Sequence, residues 1–231
     1  MSADKPQIEL WSHIQVQCAG AFDLATSRLD SLILQAERLS KGRTMLNVGC
    51  GNGYLERAAQ ARHWQVVSVD PDQKSAEQVK AMGIDARCGS IESLPSPSCT
   101  FDVVICTEVF EHLTSSLLEC GLNEVNRVLK PGGILIGTVP YREDLKANEV
   151  FCPHCNTVFQ RWGHHQSFDE STLESILARS LEVRSVRPAY FVPWSLVNWK
   201  GKLLWFARVA LSWMRIYGAG ANIFFVAAKN R

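Results

Sequence analysis

Two hydrophobic periods alternate along this chain. Short apolar runs at Met45–Val48, Gln65–Val69, Phe101–Cys106 and Ile134–Val139, with a shorter one at Ile84–Cys88, read as buried strands. Between them the apolar positions take helical spacing. Leu55, Ala58, Ala59 and Ala61 follow the first strand, Gln73–Met82 ends at Gly83, and Leu117–Leu129 stops at Lys130-Pro131-Gly132-Gly133. Strands and helices in alternation predict a doubly wound, mainly parallel α/β sheet with helices on both faces. Ahead of it, Ile14, Phe22, Leu29, Ile33 and Leu39 predict a helical segment from about Ile8, interrupted at Gly20. That segment reads as a packing helix or as a lid over a cleft. Past the fifth strand, Asp169 and Glu170 open a helix over Ser171–Arg179, and strands follow at Leu181–Ala189 and Asn222–Ala228. Two stretches break the rhythm. The expectation is one domain over 1–231, with a helical segment at 1–42, a Cys/His insertion at 141–168 and a Trp-rich insertion at 190–218.

Composition narrows the class. The 231 residues are 46% hydrophobic and 20% charged, ordinary values for one globular core. A net charge of +1 lacks the basic face that nucleic acid requires. Most of the eight cysteines are scattered, a reduced and cytoplasmic usage, and Cys152 and Cys155 alone cluster. The start of the chain carries no secretory pattern, and no uncharged run approaches the roughly 18 residues that span a bilayer. In the Trp-rich insertion Arg208, Ser212 and Arg215 fall on one helical stripe, with Lys200 and Lys202 ahead of them. This suits peripheral contact through 200–217 with the inner face of a membrane, or a lid packed on the sheet or on a second subunit.

The chemistry concentrates at Gly49-Cys50-Gly51-Asn52-Gly53, between the first strand and the next helix. Glycines at alternate positions admit positive φ and a close ligand approach. Asp70 lies 17 residues beyond Gly53, at the end of the second strand, where a carboxylate can accept from both ribose hydroxyls. That points to a nucleoside with a free 2′-OH; the alternative is a turn former before Pro71. The spacing departs from the Gly-x-Gly-x-x-Gly of dehydrogenases, and no Lys-Ser/Thr pair marks a phosphate loop.

With LNVGCGNG at the turn, VSVDP at the second strand, GSIESLP, FDVVICTEVFEHL and LKPGGILIGTVP in order, the chain resembles the class I S-adenosylmethionine-dependent methyltransferases, small-molecule enzymes with the type 11/12 domain. The resemblance implies a seven-stranded sheet whose last strand is antiparallel, and S-adenosylmethionine as cofactor. It implies that Gly49, Gly51 and Gly53 pass beneath the methionine and ribose, that Asp70 holds the ribose, and that Pro71, Ser90 and Ile91 meet the adenine. The backbone at Thr107 would face the methionine amino group. Asn47 stands where an acid is frequent, and Ser90 where an aspartate is frequent.

A sulfonium methyl is already electrophilic, so the protein aligns a nucleophile and excludes water. For a hydroxyl acceptor the candidate bases are His112 and Glu108, just past the fourth strand; otherwise His112 is a helix-capping loop histidine. Cys152, Cys155 and His164 have zinc-knuckle spacing, with His165 or His154 as a fourth ligand, as in related methyltransferases with a similar CPxC stretch. A metal-free loop and a substrate-facing His165 are the alternatives. The implied function is methyl transfer to a small or medium-sized acceptor, an oxygen on an apolar, lipid-linked or glycan-linked molecule. The other readings are a non-catalytic scaffold of the same fold and an NAD-dependent oxidoreductase. No amide- or base-methylating Asn-Pro-Pro-Tyr-like motif follows the fourth strand.

Overall fold

The computed structural model describes residues 20–191, 198–213 and 221–230. Expectations for Ile8 to Gly20 and for Trp194, Arg215 and Tyr217 therefore lie wholly or largely outside the described residues. Helix α1 (Gly20–Leu39) leads into β1 (Thr44–Val48), α2 (Tyr54–Gln60), β2 (Gln65–Asp70), α3 (Gln73–Ala81), β3 (Asp85–Cys88) and β4 (Phe101–Thr107). A 3₁₀ turn at Phe110–His112 precedes α4 (Ser115–Val128) and β5 (Leu129–Pro140). Then come β6 (Glu149–Phe151), β7 (Val158–Gln160), α5 (Glu170–Leu177), β8 (Glu182–Ala189), α6 (Trp199–Trp213) and β9 (Asn222–Ala228).

Seven strands form one sheet in the order β3-β2-β1-β4-β5-β9-β8. The β1·β2, β1·β4, β2·β3 and β4·β5 pairs are parallel, and β9 runs antiparallel to both β5 and β8. Both faces are covered, as the continuous apolar runs require. Along β4, Val103 and Ile105 point into the core shared with Leu32, Ile33 and Ala36 of α1 and Leu55 and Ala59 of α2. Val104 and Cys106 point the other way, toward Leu118, Leu122 and Val125 of α4 and Leu173 and Leu177 of α5. That is the period-two consequence of a strand buried on both sides. Helix α1 thus packs on the sheet, and its Ala25, Arg28 and Leu29 also line the cavity described below.

Helix α4 ends at Val128, just ahead of Lys130-Pro131-Gly132-Gly133 as expected, but those residues do not form a connecting loop. The residues lie inside β5, where Phe101 pairs with Leu129 and the register slips before Val103 meets Ile134. Pro131 has no N–H for the ladder and Gly132 takes φ 74°, so the chain bulges instead of leaving the sheet. Gly137 is constrained differently. A Cβ there would sit 1.9 Å from the Cys106 carbonyl oxygen and 2.4 Å from the Phe225 ring.

The Cys/His insertion is a two-stranded antiparallel hairpin, β6·β7, on a loop whose base closes where Tyr141 bridges Phe168. In the Trp-rich insertion, α6 leaves Trp199, Leu203, Leu204, Phe206 and Leu211 exposed. Among the described residues no helix is long and apolar enough to cross a membrane.

Candidate functional site

The strand order reverses direction between β1 and β4, and a cavity of about 580 Å³ opens at the carboxyl ends of β1, β2 and β4. This is where a doubly wound sheet leaves a crevice. At the end of β1, Gly49, Gly51 and Gly53 take φ of 87°, 50° and 74°, a left-handed run that side chains resist. Gly49 and Gly51 line the cavity. Gly53 instead caps α2, packed beneath Met82 and Val79.

Asp70 closes β2 beside this turn. Its Oδ2 accepts from the Cys50 N–H at 2.9 Å and its Oδ1 from the Asp72 N–H at 2.9 Å. The carboxylate is therefore fixed in place while lone pairs remain for a ligand. Burial raises its pKa above the ordinary carboxylate value, against those two backbone bonds. Asn47, Pro71, Ser90, Ile91 and Thr107 also line the cavity. Thr107 Oγ1 is 2.8 Å from Thr138 Oγ1, which ties the end of β4 to β5.

Asn47 has a partner that spacing did not reveal. Its Nδ2 donates to Glu56 Oε1 at 2.7 Å, and Ser68 donates to the same oxygen. Glu56 is fully buried on α2, and burial holds its carboxyl above the usual range. The acid absent at 47 thus has a counterpart one helix away.

The far end of the cavity is built by the 3₁₀ turn and the returning limb of the Cys/His insertion. His165 N and Gln166 N donate to the Glu111 carbonyl at 2.7 and 3.2 Å, and Gln166 Nε2 donates to the Leu113 carbonyl at 2.6 Å. These bonds bring His164 against His112, ring centroids 4.6 Å apart and edge to face. His164 Nδ1 pairs with Glu143, whose other oxygen accepts from Asn148 at 2.8 Å and Gln160 at 3.1 Å. Glu111, His112, Glu143, Asn148, Trp162 and His164 all line the cavity.

Electrostatics separate the two expected bases. Burial, helped by His164, pushes His112 down to about 3, so the ring is neutral. Glu108, at φ 54°, is committed to partners: its Oε1 accepts from Thr138 at 2.9 Å and Asn222 at 3.0 Å, and its Oε2 lies 3.6 Å from Arg28. Glu111 is 1% exposed, and burial together with Glu108 drives its carboxyl well above the ordinary value.

The zinc expectation is corrected in its ligand set. Cys152 and Cys155 sit at the hairpin tip, where Cys152 N donates to Thr157 O at 2.9 Å and Cys155 Sγ lies 3.3 Å from Thr157 Oγ1. Cys155 is exposed, and neither cysteine lines the cavity. His164, past Gln160, reaches the cavity and Glu143, whereas the two cysteines do not. Among the described residues, the histidine, cysteine and carboxylate side chains close enough to share one metal ion are Glu111, His112 and His164, whose ligand atoms all lie within 4.8 Å of one another. Glu143, Asn148 and Trp162 were missed by sequence reasoning. Each lies in an irregular limb where no period marks a face.

Known proteins resemble this chain in sequence and in fold. A family model described as a methyltransferase domain matches residues 46–137. A probable S-adenosylmethionine-dependent methyltransferase of Mycolicibacterium smegmatis is 34% identical over 103 residues, 44% of this chain and 39% of that protein. The human mitochondrial ubiquinone biosynthesis O-methyltransferase is 31% identical over 169 residues, 67% of this chain and 45% of that protein. The matches thus span less than half the length of either relative. Among solved structures, a SAM-dependent methyltransferase from Thermotoga maritima superposes with a TM-score of 0.65 at 19% identity, covering 96% of this chain and 99% of that one.

Proposed function

We propose that this chain, with a methyltransferase domain matched over residues 46–137, acts as a class I S-adenosylmethionine-dependent methyltransferase and methylates an oxygen of a small or medium-sized apolar acceptor. The observation that carries the proposal is one continuous cavity joining the glycine turn and Asp70 to the His112–His164–Glu143 cluster. S-adenosylmethionine is the cofactor of the family. The turn at Gly49 and Gly51 would admit its methionine and ribose, Asp70 would accept from the ribose hydroxyls, and Ser90 and Ile91 would meet the adenine. Thr107 would lie beside the methionine amino group, and Asn47 would hold the turn from below.

The acceptor would enter between Trp162, His112 and His164. Bound S-adenosylmethionine would supply an electrophilic methyl group to the acceptor oxygen's electron pair and would leave as S-adenosylhomocysteine, the carbon–sulfur pair remaining on sulfur. The hydroxyl proton would pass the imidazole–carboxylate cluster and be released to solvent through the cavity mouth. Neutral His112 serves as a hydrogen-bond partner, and Glu108, held by Thr138, Asn222 and Arg28, positions the β4 end instead of acting as base. An oxygen acceptor is supported by the names of relatives such as the human O-methyltransferase.

An apolar, lipid-linked acceptor is supported by α6. Trp199, Leu203, Leu204 and Phe206 stand exposed, Lys200, Lys202 and Arg208 share the helix, and no Asp or Glu follows Glu182. Such a face fits peripheral contact with an anionic bilayer. The test uses S-adenosylmethionine labelled in the methyl group, with purified chain and lipid and aqueous cell extracts. Label in an apolar product, stable to mild base as an ether is, is expected. Binding of S-adenosylhomocysteine with no acceptor labelled in any extract would replace the proposal with the scaffold reading.

A further inference from the structure

We propose that Glu111, His112 and His164 form a site for one divalent first-row transition cation at the acceptor end of the cavity. The inference rests on that end having been assigned to the acceptor. Two independent observations point to it. The three side chains each offer a ligand atom, all within 4.8 Å of one another. Glu111, 1% exposed and lining the cavity, has neither carboxylate oxygen hydrogen-bonded among the described residues. Burying an acid with both oxygens unpartnered is expensive, and a cation between it and two imidazoles removes that expense.

The outer contacts are those of metal-binding histidines. Glu143 grips His164 Nδ1, and the Gly163 carbonyl faces His112 Nδ1 at 3.4 Å. An oxygen behind each Nδ1 selects the tautomer that presents Nε2 as ligand and fixes the plane of the ring. Glu143 is itself fixed by Asn148 and Gln160, so the support extends one shell further. Two imidazoles and one carboxylate suit Zn²⁺ or Mn²⁺ better than Mg²⁺ or Ca²⁺, which favour all-oxygen sets. Three protein ligands leave coordination positions open toward the cavity, where an acceptor hydroxyl can replace water. A metal-bound hydroxyl loses its proton more easily, and the proton is then released to solvent through the cavity mouth.

The experiment uses the full chain, stripped with a chelator and dialysed. Calorimetry with Zn²⁺ and with Mn²⁺, and the loss of the free Mn²⁺ electron-resonance signal, measure the cation. S-adenosylhomocysteine is titrated separately into every sample. One cation per chain is expected for the wild type. Glu111→Gln and His164→Asn should each weaken cation binding by at least about tenfold, with S-adenosylhomocysteine binding retained and circular dichroism unchanged. The Cys152→Ser/Cys155→Ser double variant should bind the cation as the wild type does. The proposal is overturned if the folded wild type binds no stoichiometric cation, or if only the cysteine variant loses it. Absence of S-adenosylhomocysteine binding in the wild type would strike the methyltransferase proposal and with it the acceptor role given to the cation, whereas stoichiometric cation binding lost in Glu111→Gln and His164→Asn would still support the site itself.

Discussion

Replacing Asn47 by aspartate restores an acid at a position where related turns often carry one, and the structure predicts damage. Asn47 and Glu56 are 1% and 0% exposed, and Asn47 Nδ2 donates to Glu56 Oε1 at 2.7 Å. In Asn47→Asp that donor becomes a second carboxylate oxygen. The lost bond to a charged acceptor is worth roughly 1.5–3 kcal/mol. Repulsion of two ionised groups about 4 Å apart adds as much as about 4 kcal/mol at an effective dielectric of ~20, unless the pair binds a proton. Burial already holds the Glu56 carboxyl above its ordinary value, so the pair will take that proton. The folded state then binds more protons than the unfolded state above about pH 4.5, so stability falls as pH rises, by up to about 1.4 kcal/mol per unit. The expected deficit relative to wild type is about 3 kcal/mol near pH 8 and a small fraction of that near pH 5.5. Urea unfolding, followed by the fluorescence of buried Trp64, measures it at both pH values. Equal deficits at the two pH values, or a deficit growing toward acid, would refute the reasoning.

Three further outcomes follow from particular contacts. Gly137→Ala should destabilise by more than about 3 kcal/mol or prevent folding, because its Cβ would occupy the Cys106 carbonyl and the Phe225 ring; thermal melting reads this. Asp102 accepts from Thr44 N at 3.0 Å and Lys130 Nζ at 2.9 Å, and also from Thr44 Oγ1. Burial alone would raise its carboxyl, but the Thr44 and Lys130 bonds prevail and hold it below the usual range. Its stabilisation is present above the unfolded value near 4 and is lost as pH falls, so Asp102→Asn should cost about 1 kcal/mol at neutral pH and little near pH 3 in urea titrations. The chain should float with anionic vesicles and not with neutral ones, and Leu203→Glu/Phe206→Glu should abolish flotation; flotation of neither preparation by wild type would end the α6 reading.

The sheet was legible because each buried strand carries a continuous apolar run, and each parallel crossover carries a helix with its own period. The glycine turn and Asp70 were legible because their spacing follows from one strand–turn–helix unit. The acceptor end was not. His112 and His164 are brought together by backbone bonds from the residues at 165 and 166 to Glu111, contacts between two irregular limbs that no period encodes. Cys-x2-Cys spacing suggested a knuckle with His164, but the hairpin keeps both cysteines out of the cavity lining while the following limb returns to it. Lys130-Pro131-Gly132-Gly133 was legible as the stop of the preceding helix but not as part of a strand, because proline and glycine punctuate most chains. Here the neighbouring strand tolerates a bulge, so β5 continues through it. Asn47 looked like a missing charge until Glu56 was seen beside it.

Calorimetric titration of the purified chain with S-adenosylhomocysteine and with NADH, alongside Asp70→Ala, tests the central claim most directly. The account predicts one S-adenosylhomocysteine site per chain, affinity lowered by at least about tenfold in Asp70→Ala as two ribose hydrogen bonds are lost, and no heat from NADH. Binding of NADH with no binding of S-adenosylhomocysteine would contradict it.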